Sequence, residues 1–164
     1  DSSWARGQAW AVYGYTACYR ETNDSTFLNF AIKVADMIME RVKTDDAIPY
    51  WDYDAPVTEE TPRDASAASV TASALIELST MVPDGKKYLD YAEKILKSLS
   101  SDAYLAKVGD NQGFILMHSV GSLPNGSEID TPLNYADYYY LEALKRFMEL
   151  KKLRVENGEL RVIQ

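Results

Sequence analysis

The segment ASAASVTASALIELSTM, residues 65–81, decides the fold because it predicts a helix that other helices can approach closely. Its apolar residues recur at the helical period, and most of its other residues are small. The periodic positions are Ala68, Ala72, Leu75 and Leu78. Asp64 stands directly before the segment as a candidate N-cap, and Pro83 follows it as a helix terminator.

Four further segments share this helical periodicity, and their connections alternate between short and long. The predicted helices are residues 4–21, 26–42, 65–81, 86–98 and 134–152. Short turns follow the first and third helices, whereas long loops at 43–63 and 101–133 separate the pairs. Short turns favour antiparallel hairpins. We therefore predict an all-α protein of antiparallel helical hairpins stacked side by side, with its long loops at one functional end.

Two regions have sequence patterns that favour extended structure over helix. The segment 113–118 is apolar and bounded by glycines, which favours a short strand pair. Residues 153–164 alternate weakly and contain Asn157-Gly158, a hairpin turn signal. The predicted organisation is one domain over residues 1–152 followed by a tail over residues 153–164.

Composition excludes several function classes. The 164 residues carry a net charge of −8, which argues against a nucleic-acid partner. No apolar run approaches the length of a membrane helix, so no membrane partner is expected. The single cysteine, Cys18, and the single histidine, His118, argue against a zinc site, and no cofactor motif is present. We expect neither metal nor cofactor. The 12 Tyr and 3 Trp suit a cleft that binds sugars.

The start of the first helix carries the first candidate site. Arg6 and Trp10 are four residues apart and share a helix face, and Trp4 and Gln8 share another. Arginine can bind a carboxylate through two hydrogen bonds while tryptophan stacks on a sugar ring. The alternative is a cation–π contact within a helix interface.

Carboxylates in the loops are the second set of candidates. Asp52 and Asp54 alternate with aromatic residues, and glycosidases usually need two carboxylates. The alternative is a packed loop with solvated aspartates. Asp64 is interpreted as a helix cap, and Asp137 as a buried acceptor for tyrosine hydroxyls. His118 is a candidate for hydrogen bonding or proton transfer.

Five motifs in order give the chain a resemblance to the unsaturated glucuronyl hydrolases, glycoside hydrolase family 88. The motifs are Ser3–Trp10, Tyr50–Pro56, Arg63–Ala68, Gly126–Asp130 and Tyr135–Tyr139. The resemblance covers about residues 1–150 and implies part of an (α/α)6 barrel, a toroid of helical hairpins. It also implies a glycosidase that releases unsaturated glucuronic acid from lyase-generated oligosaccharides. In that reaction a carboxylic acid protonates the C4=C5 double bond and water adds at C5.

The same resemblance assigns roles to individual residues. Arg6 and Trp10 fall at positions that contact the unsaturated uronate and its neighbour, and Trp4 and Gln8 belong to the same motif. His118 lies with Val120 in the loop where the family varies its substrate preference. Sister rhamnogalacturonyl hydrolases tend to carry Asn where this chain has Gln8, which favours the glucuronyl group.

One departure from the family concerns the catalytic residues. The family's two catalytic aspartates lie in the amino-terminal half, whereas this chain resembles the carboxy-terminal half, with about five of twelve helices. The resemblance therefore implies that the catalytic acid is neither Asp52, Asp54 nor Asp64, and that the chain alone is inactive. We expect self-association or packing against the amino-terminal half. The competing hypotheses are a rhamnogalacturonyl hydrolase, a non-catalytic helical-repeat interaction module and a sugar-binding module.

Overall fold

The computed structural model describes residues 2–156, with side chains described up to residue 153. Five α-helices carry the fold within this range. They are α1 (Ala5–Thr22), α2 (Ser25–Arg41), α3 (Ala65–Leu78), α4 (Gly85–Leu99) and α5 (Asn134–Glu156). Short 3-10 turns interrupt the second long loop at Asn111–Gly113 and Leu123–Asn125. All five predicted helices are confirmed.

Helix α3 lies at the centre of the described structure. It packs against α1, α4 and α5, while α2 packs against α1. Every α3 residue except Glu77 is buried, because its Ala and Ser side chains leave room for helices on several sides. The hairpins α1–α2 and α3–α4 therefore stack side by side, and α5 continues the series. The predicted all-α architecture of antiparallel hairpins is confirmed.

Aromatic side chains from α1 and α5 meet over one face of α3. Ala67 and Val70 of α3 lie beneath Tyr13 and Tyr139, whose ring centroids are 5.0 Å apart. The Tyr13 hydroxyl donates to Glu142 Oε1 at 3.1 Å, which ties α1 directly to α5. The small residues of α3 thus let the two flanking helices contact each other across it.

The helix caps follow the sequence only in part. Asp64 caps α3 as predicted. Ser2, Ser3 and Ser25 stand near the predicted starts of the first two helices and are N-cap candidates by residue type, but none of them caps a helix. The N-cap of α1 is Trp4, without a side-chain bond, and Asp24 caps α2. Ser2 is unavailable because its hydroxyl donates to the Asp52 carboxylate at 2.5 Å.

The predicted strand pair at 113–118 is wrong. Within residues 2–156 the loop forms isolated bridges, such as Leu105 with Leu116, and no extended strand. The reason is Asp137, whose carboxylate accepts hydrogen bonds from Ile115 N at 2.8 Å and Leu116 N at 2.9 Å. The interpretation of Asp137 as an acceptor for tyrosine hydroxyls is wrong for the same reason. A side chain thus satisfies the backbone groups that a strand partner would need.

The end of the last helix differs from the prediction. Helix α5 continues to Glu156, past the predicted helix end at residue 152. The Asn157-Gly158 turn signal and the rest of the predicted tail lie outside the described residues.

Candidate functional site

The two long loops meet the first turns of α1 and α3. Ala5 N donates to the Trp51 carbonyl at 2.9 Å, and Tyr53 N donates to the Ser3 carbonyl at 2.9 Å. Ala65 N donates to the His118 carbonyl at 2.9 Å. The predicted placement of the long loops at one end of the hairpins is confirmed, and the candidate site lies there.

The Arg6 guanidinium joins three parts of this end. Its Nη1 donates to Asp64 Oδ2 at 3.3 Å and to the Val120 carbonyl, and its Nη2 donates to the Gly121 carbonyl. The side chain is only 12% exposed. Arg6 therefore links the start of α1 to the start of α3 and to the second long loop.

Asp64 receives more hydrogen bonds than a helix cap requires. Its Oδ1 accepts from Ser66 N at 3.0 Å, Ser66 Oγ at 2.5 Å and Ala67 N at 3.3 Å. Val120 N also donates to it at 3.4 Å, and the side chain is 1% exposed. Burial raises the pKa of the Asp64 carboxyl, whereas the Ser66 hydrogen bond and the Arg6 charge oppose that rise. Asp64 thus fixes both the α3 start and Arg6.

Two aromatic rings lie against Arg6, and a third packs on one of them. The guanidinium carbon lies 5.8 Å from the Trp4 ring centroid and 5.6 Å from that of Tyr135. Trp10 lies 6.0 Å from Tyr135, centroid to centroid, and 37% of the residue is exposed. Arg6 and Trp10 therefore share the predicted face. The cation–π partners of Arg6 are Trp4 and Tyr135, so this contact does occur within the fold.

The other two predicted site residues are Gln8 and His118. The Gln8 side chain is half-buried on α1 and has no hydrogen-bond partner among residues 2–156. His118 Nδ1 contacts Asp130 Oδ1 at 2.6 Å, and the ring is 44% exposed. Because His118 is two residues before Val120, the loop that Arg6 binds also carries this imidazole.

The loop bound by Arg6 closes on itself tightly. Gly121 N donates to the Glu128 carbonyl at 2.7 Å, and a Cβ at position 121 would lie 2.0 Å from Glu128 Oε2. His118, Glu128 and Asp130 all have left-handed φ angles, of 63°, 52° and 51°. Non-glycine residues seldom adopt this conformation, so tertiary contacts hold the loop in place.

The aspartates of the first loop have structural partners. Asp52 is 3% exposed and accepts hydrogen bonds from Ser2 Oγ at 2.5 Å, Asp54 N at 2.7 Å and Ala55 N at 2.9 Å. Asp54 pairs with Arg41. Asp52 also borders a cavity of about 540 Å³ between loop 43–63 and the end of α2. Neither carboxyl is arranged as a free proton donor.

Replacing Asp52 by alanine should destabilise the protein by about 2 kcal/mol at pH 7, because three donors lose their acceptor. Burial alone would raise the Asp52 pKa, but the Ser2, Asp54 and Ala55 hydrogen bonds outweigh it and hold the pKa below its ordinary value. The stabilisation is therefore present above the unfolded pKa and is lost as pH falls through the lower folded pKa. Urea unfolding between pH 3 and pH 7 measures both effects.

The matched control for this prediction is Asp54→Ala, which removes only a partly exposed ion pair. It should change stability by less than about 1 kcal/mol. Equal losses from the two substitutions, or the same acid sensitivity after Asp52→Ala, would contradict the structural role of Asp52.

The described residues contain neither a metal-binding cluster nor a membrane-spanning helix. No group of three or more His, Cys, Asp or Glu side chains within residues 2–156 is arranged to hold a metal ion. No helix in the same range is long and apolar enough to cross a membrane.

Sequence reasoning missed three contributors to the site. The sequence identifies Tyr135 only as part of a motif, whereas its ring lies close to both Arg6 and Trp10. Gly121 was not identified, although its carbonyl binds Arg6. Asp64 was assigned to capping alone. Tyr135 and Asp64 lie in other motifs of the family resemblance that also includes Arg6, which could have marked them; no motif includes Gly121.

The fold and site define a class of protein. Helical hairpins stacked side by side, with aromatic and charged residues at the loop end, are part of an (α/α)6 barrel, the fold of the structures that match this chain. A crystal structure of an unsaturated glucuronyl hydrolase specific for heparin matches with a TM-score of 0.90 and 61% identity. The match covers 93% of this chain and 41% of that one.

Further comparisons give the same family. An unsaturated glucuronyl hydrolase of Formosa agariphila is 50% identical over 151 residues, which cover 92% of this chain. A structure of a variant bound to dGlcA-Glc-Rha-Glc matches with 30% identity and a TM-score of 0.82, covering 96% of this chain and 40% of that one. No protein-family model matches.

These comparisons confirm the resemblance to the unsaturated glucuronyl hydrolases over nearly the whole chain. The chain spans 38% of the length of the Formosa agariphila relative. This share agrees with the prediction that the chain forms only part of the barrel.

Proposed function

We propose that this chain supplies the substrate-binding part of a glycoside hydrolase that releases unsaturated glucuronic acid from lyase-generated oligosaccharides. The proposed reaction is hydration of the C4=C5 double bond, after which the product hemiketal opens. The observation that carries the proposal is the state of Arg6, an arginine held in place by the protein with part of its donor capacity unused.

The unused donors of Arg6 suit a carboxylate. A guanidinium has five N–H groups, and three of those on Arg6 bind Asp64, Val120 and Gly121, which leaves two. The remaining groups are the Nε–H and one N–H of Nη2, and these two neighbouring nitrogens can together bind a carboxylate through two hydrogen bonds. No residue in the described range bonds to them. An unsaturated uronate carries such a carboxylate.

The aromatic residues beside Arg6 suit the sugar rings. The half-buried Trp4 precedes Arg6 at the N-cap of α1, and the partly exposed Trp10 follows it one turn further along the helix. Flat rings next to a cation bind a sugar that has one apolar face and one charged group. We assign substrate binding to Arg6, Trp4 and Trp10, with the unpartnered Gln8 amide and the His118 imidazole as further polar contacts.

The proton donor is assigned to another part of the barrel. The carboxylates of Asp52 and Asp64 are buried and each accepts several hydrogen bonds, and the Asp54 carboxylate pairs with Arg41. A general acid must instead reach the substrate with an exchangeable proton. We therefore propose that the chain alone is inactive and that the catalytic aspartates pack against it from the rest of the protein.

Exposed apolar side chains at two edges of the described structure support this packing. Phe30 of α2 is 46% exposed, and Tyr138, Leu141 and Met148 of α5 are 59%, 52% and 69% exposed. Apolar surface of this kind marks a contact site. We assign these edges to neighbouring hairpins of the same barrel, although self-association would cover them equally.

Loss of absorbance from the C4=C5 double bond tests the proposal. We expect the full-length parent to hydrolyse unsaturated disaccharides and this chain alone to leave them intact. Because a 61% identical relative is described as specific for heparin, the heparin disaccharide should be cleaved faster than the chondroitin disaccharide. Hydrolysis by this chain alone would mean that one of its own carboxyl groups is the general acid. Inactivity of both proteins on both substrates would overturn the proposal.

A further inference from the structure

A groove of about 340 Å³ lies outside the Arg6 site, between loop 43–63 and the 3-10 turn Leu123–Asn125. Its walls come from both long loops, so it lies at the functional end of the hairpins. The residues that give it its chemistry are Trp51, Pro56, Thr58, Glu60, Pro62 and Leu123.

Two tryptophans in contact connect the lining of the groove to Arg6. The Arg6 guanidinium lies 5.8 Å from the Trp4 ring centroid, and Trp4 lies 6.0 Å from Trp51 in an edge-to-face contact. On the other wall, Leu123 is two residues after Gly121, whose carbonyl binds Arg6. A ligand chain that begins at Arg6 and passes Trp4 therefore arrives at this groove.

The chemistry of the groove suits an uncharged sugar. Trp51, Pro62 and Leu123 provide flat or apolar surface against which a sugar ring can stack. Glu60 is the only charged residue in the lining among the described residues. Its carboxylate has no hydrogen-bond partner there, so it is free to accept from sugar hydroxyls. The same charge repels sulfate and carboxylate groups.

We propose that this groove binds an uncharged sugar ring on the leaving-group side of the saccharide, beyond the residue next to the unsaturated uronate. This inference rests on the proposed function, because it takes the Arg6 site as the place where the uronate binds. The groove extends the contact to longer saccharides and selects against those with a charged third ring.

Hydrolysis kinetics of the full-length parent test this subsite. The substrates are an unsaturated disaccharide, an unsaturated tetrasaccharide with uncharged second to fourth sugars, and the same tetrasaccharide with a sulfate on the third sugar. Leu123→Ser should lower kcat/KM for the uncharged tetrasaccharide about fivefold to tenfold, the scale of one lost apolar contact, and leave the disaccharide unchanged.

The charge selection is tested by Glu60→Gln. This variant should at least halve the ratio of kcat/KM for the uncharged over the sulfated tetrasaccharide. Glu59→Gln is the matched control, since Glu59 is the exposed neighbour outside the groove lining and should leave the ratio unchanged.

Three results would overturn the subsite. Equal effects of Leu123→Ser on disaccharide and tetrasaccharide, or none on either, would show that the groove holds no sugar. If Glu60→Gln leaves the ratio of kcat/KM for the uncharged over the sulfated tetrasaccharide unchanged, Glu60 does not select against charged sugars. If the unaltered parent hydrolyses none of the three substrates, the proposed function fails and the subsite fails with it.

Discussion

Replacing Arg6 by alanine should lower kcat/KM for the unsaturated disaccharide by at least about a hundredfold in the full-length parent. The expected size follows from losing two charge-assisted hydrogen bonds to the uronate, of which each is worth about 1.5 to 3 kcal/mol. The loop that carries Val120 and Gly121 also loses its contact with α1. Most of the loss should therefore be in KM, measured from initial rates of absorbance decay.

The conservative variant Arg6→Lys separates charge from geometry. Lysine keeps the positive charge beside Asp64 but cannot bind the loop carbonyls and a carboxylate at once. We expect it to recover part of the thermal stability lost in Arg6→Ala but little of the KM. Full recovery of KM by lysine, or wild-type kinetics in Arg6→Ala, would contradict the assignment of Arg6 to the uronate.

Replacing Asp64 by alanine should have the largest effect on stability, about 3 to 5 kcal/mol. The substitution leaves the Arg6 charge without its partner in a site that is 12% exposed. It also removes the acceptor for Ser66 N, Ser66 Oγ, Ala67 N and Val120 N. Urea unfolding at pH 7 measures the loss.

A second aspartate cap provides the control. Asp24 caps α2 by accepting from Thr26 N at 2.8 Å, but it is exposed and pairs with no arginine among the described side chains. Asp24→Ala should therefore cost much less than Asp64→Ala, and Asp64→Asn should fall between them. Similar losses of stability for Asp24→Ala and Asp64→Ala would show that Asp64 acts only as a helix cap and does not hold Arg6 in place.

The sequence predicted the helices well because their signals are local. Periodic apolar residues in α2 and small residues in α3 define which faces pack, and short turns define which helices pair. The Asp64 cap was predicted for the same reason, since a cap depends on residues two or three positions away. The all-α hairpin fold follows from these local signals alone.

The contacts that build the site are not local, and the sequence alone could not predict them. Arg6 and Asp64 are separated by 58 positions, and Arg6 and Gly121 by 115. The strand predicted at 113–118 failed because Asp137, more than 20 positions away, binds its backbone. In each case one charged side chain binds hydrogen-bonding groups on a distant segment. Sequence periodicity does not predict such a contact.

The two non-catalytic hypotheses make predictions that differ from those of the hydrolase. A helical-repeat interaction module would use the helix faces and would not need Arg6 to keep two free N–H groups at the loop end. A sugar-binding module would need Trp10 and Trp51 but would leave the C4=C5 double bond intact. The unused Arg6 edge favours the hydrolase, which must fix a uronate carboxylate during reaction.

A double-mutant cycle between Arg6 and the substrate carboxylate tests the central claim most directly. It compares the unsaturated disaccharide and its methyl ester as substrates for the full-length parent and its Arg6→Ala variant. If Arg6 binds the carboxylate, esterification should lower kcat/KM about a hundredfold in the parent and only slightly in the variant. If esterification lowers kcat/KM equally in both proteins, Arg6 does not bind the uronate and the account is wrong.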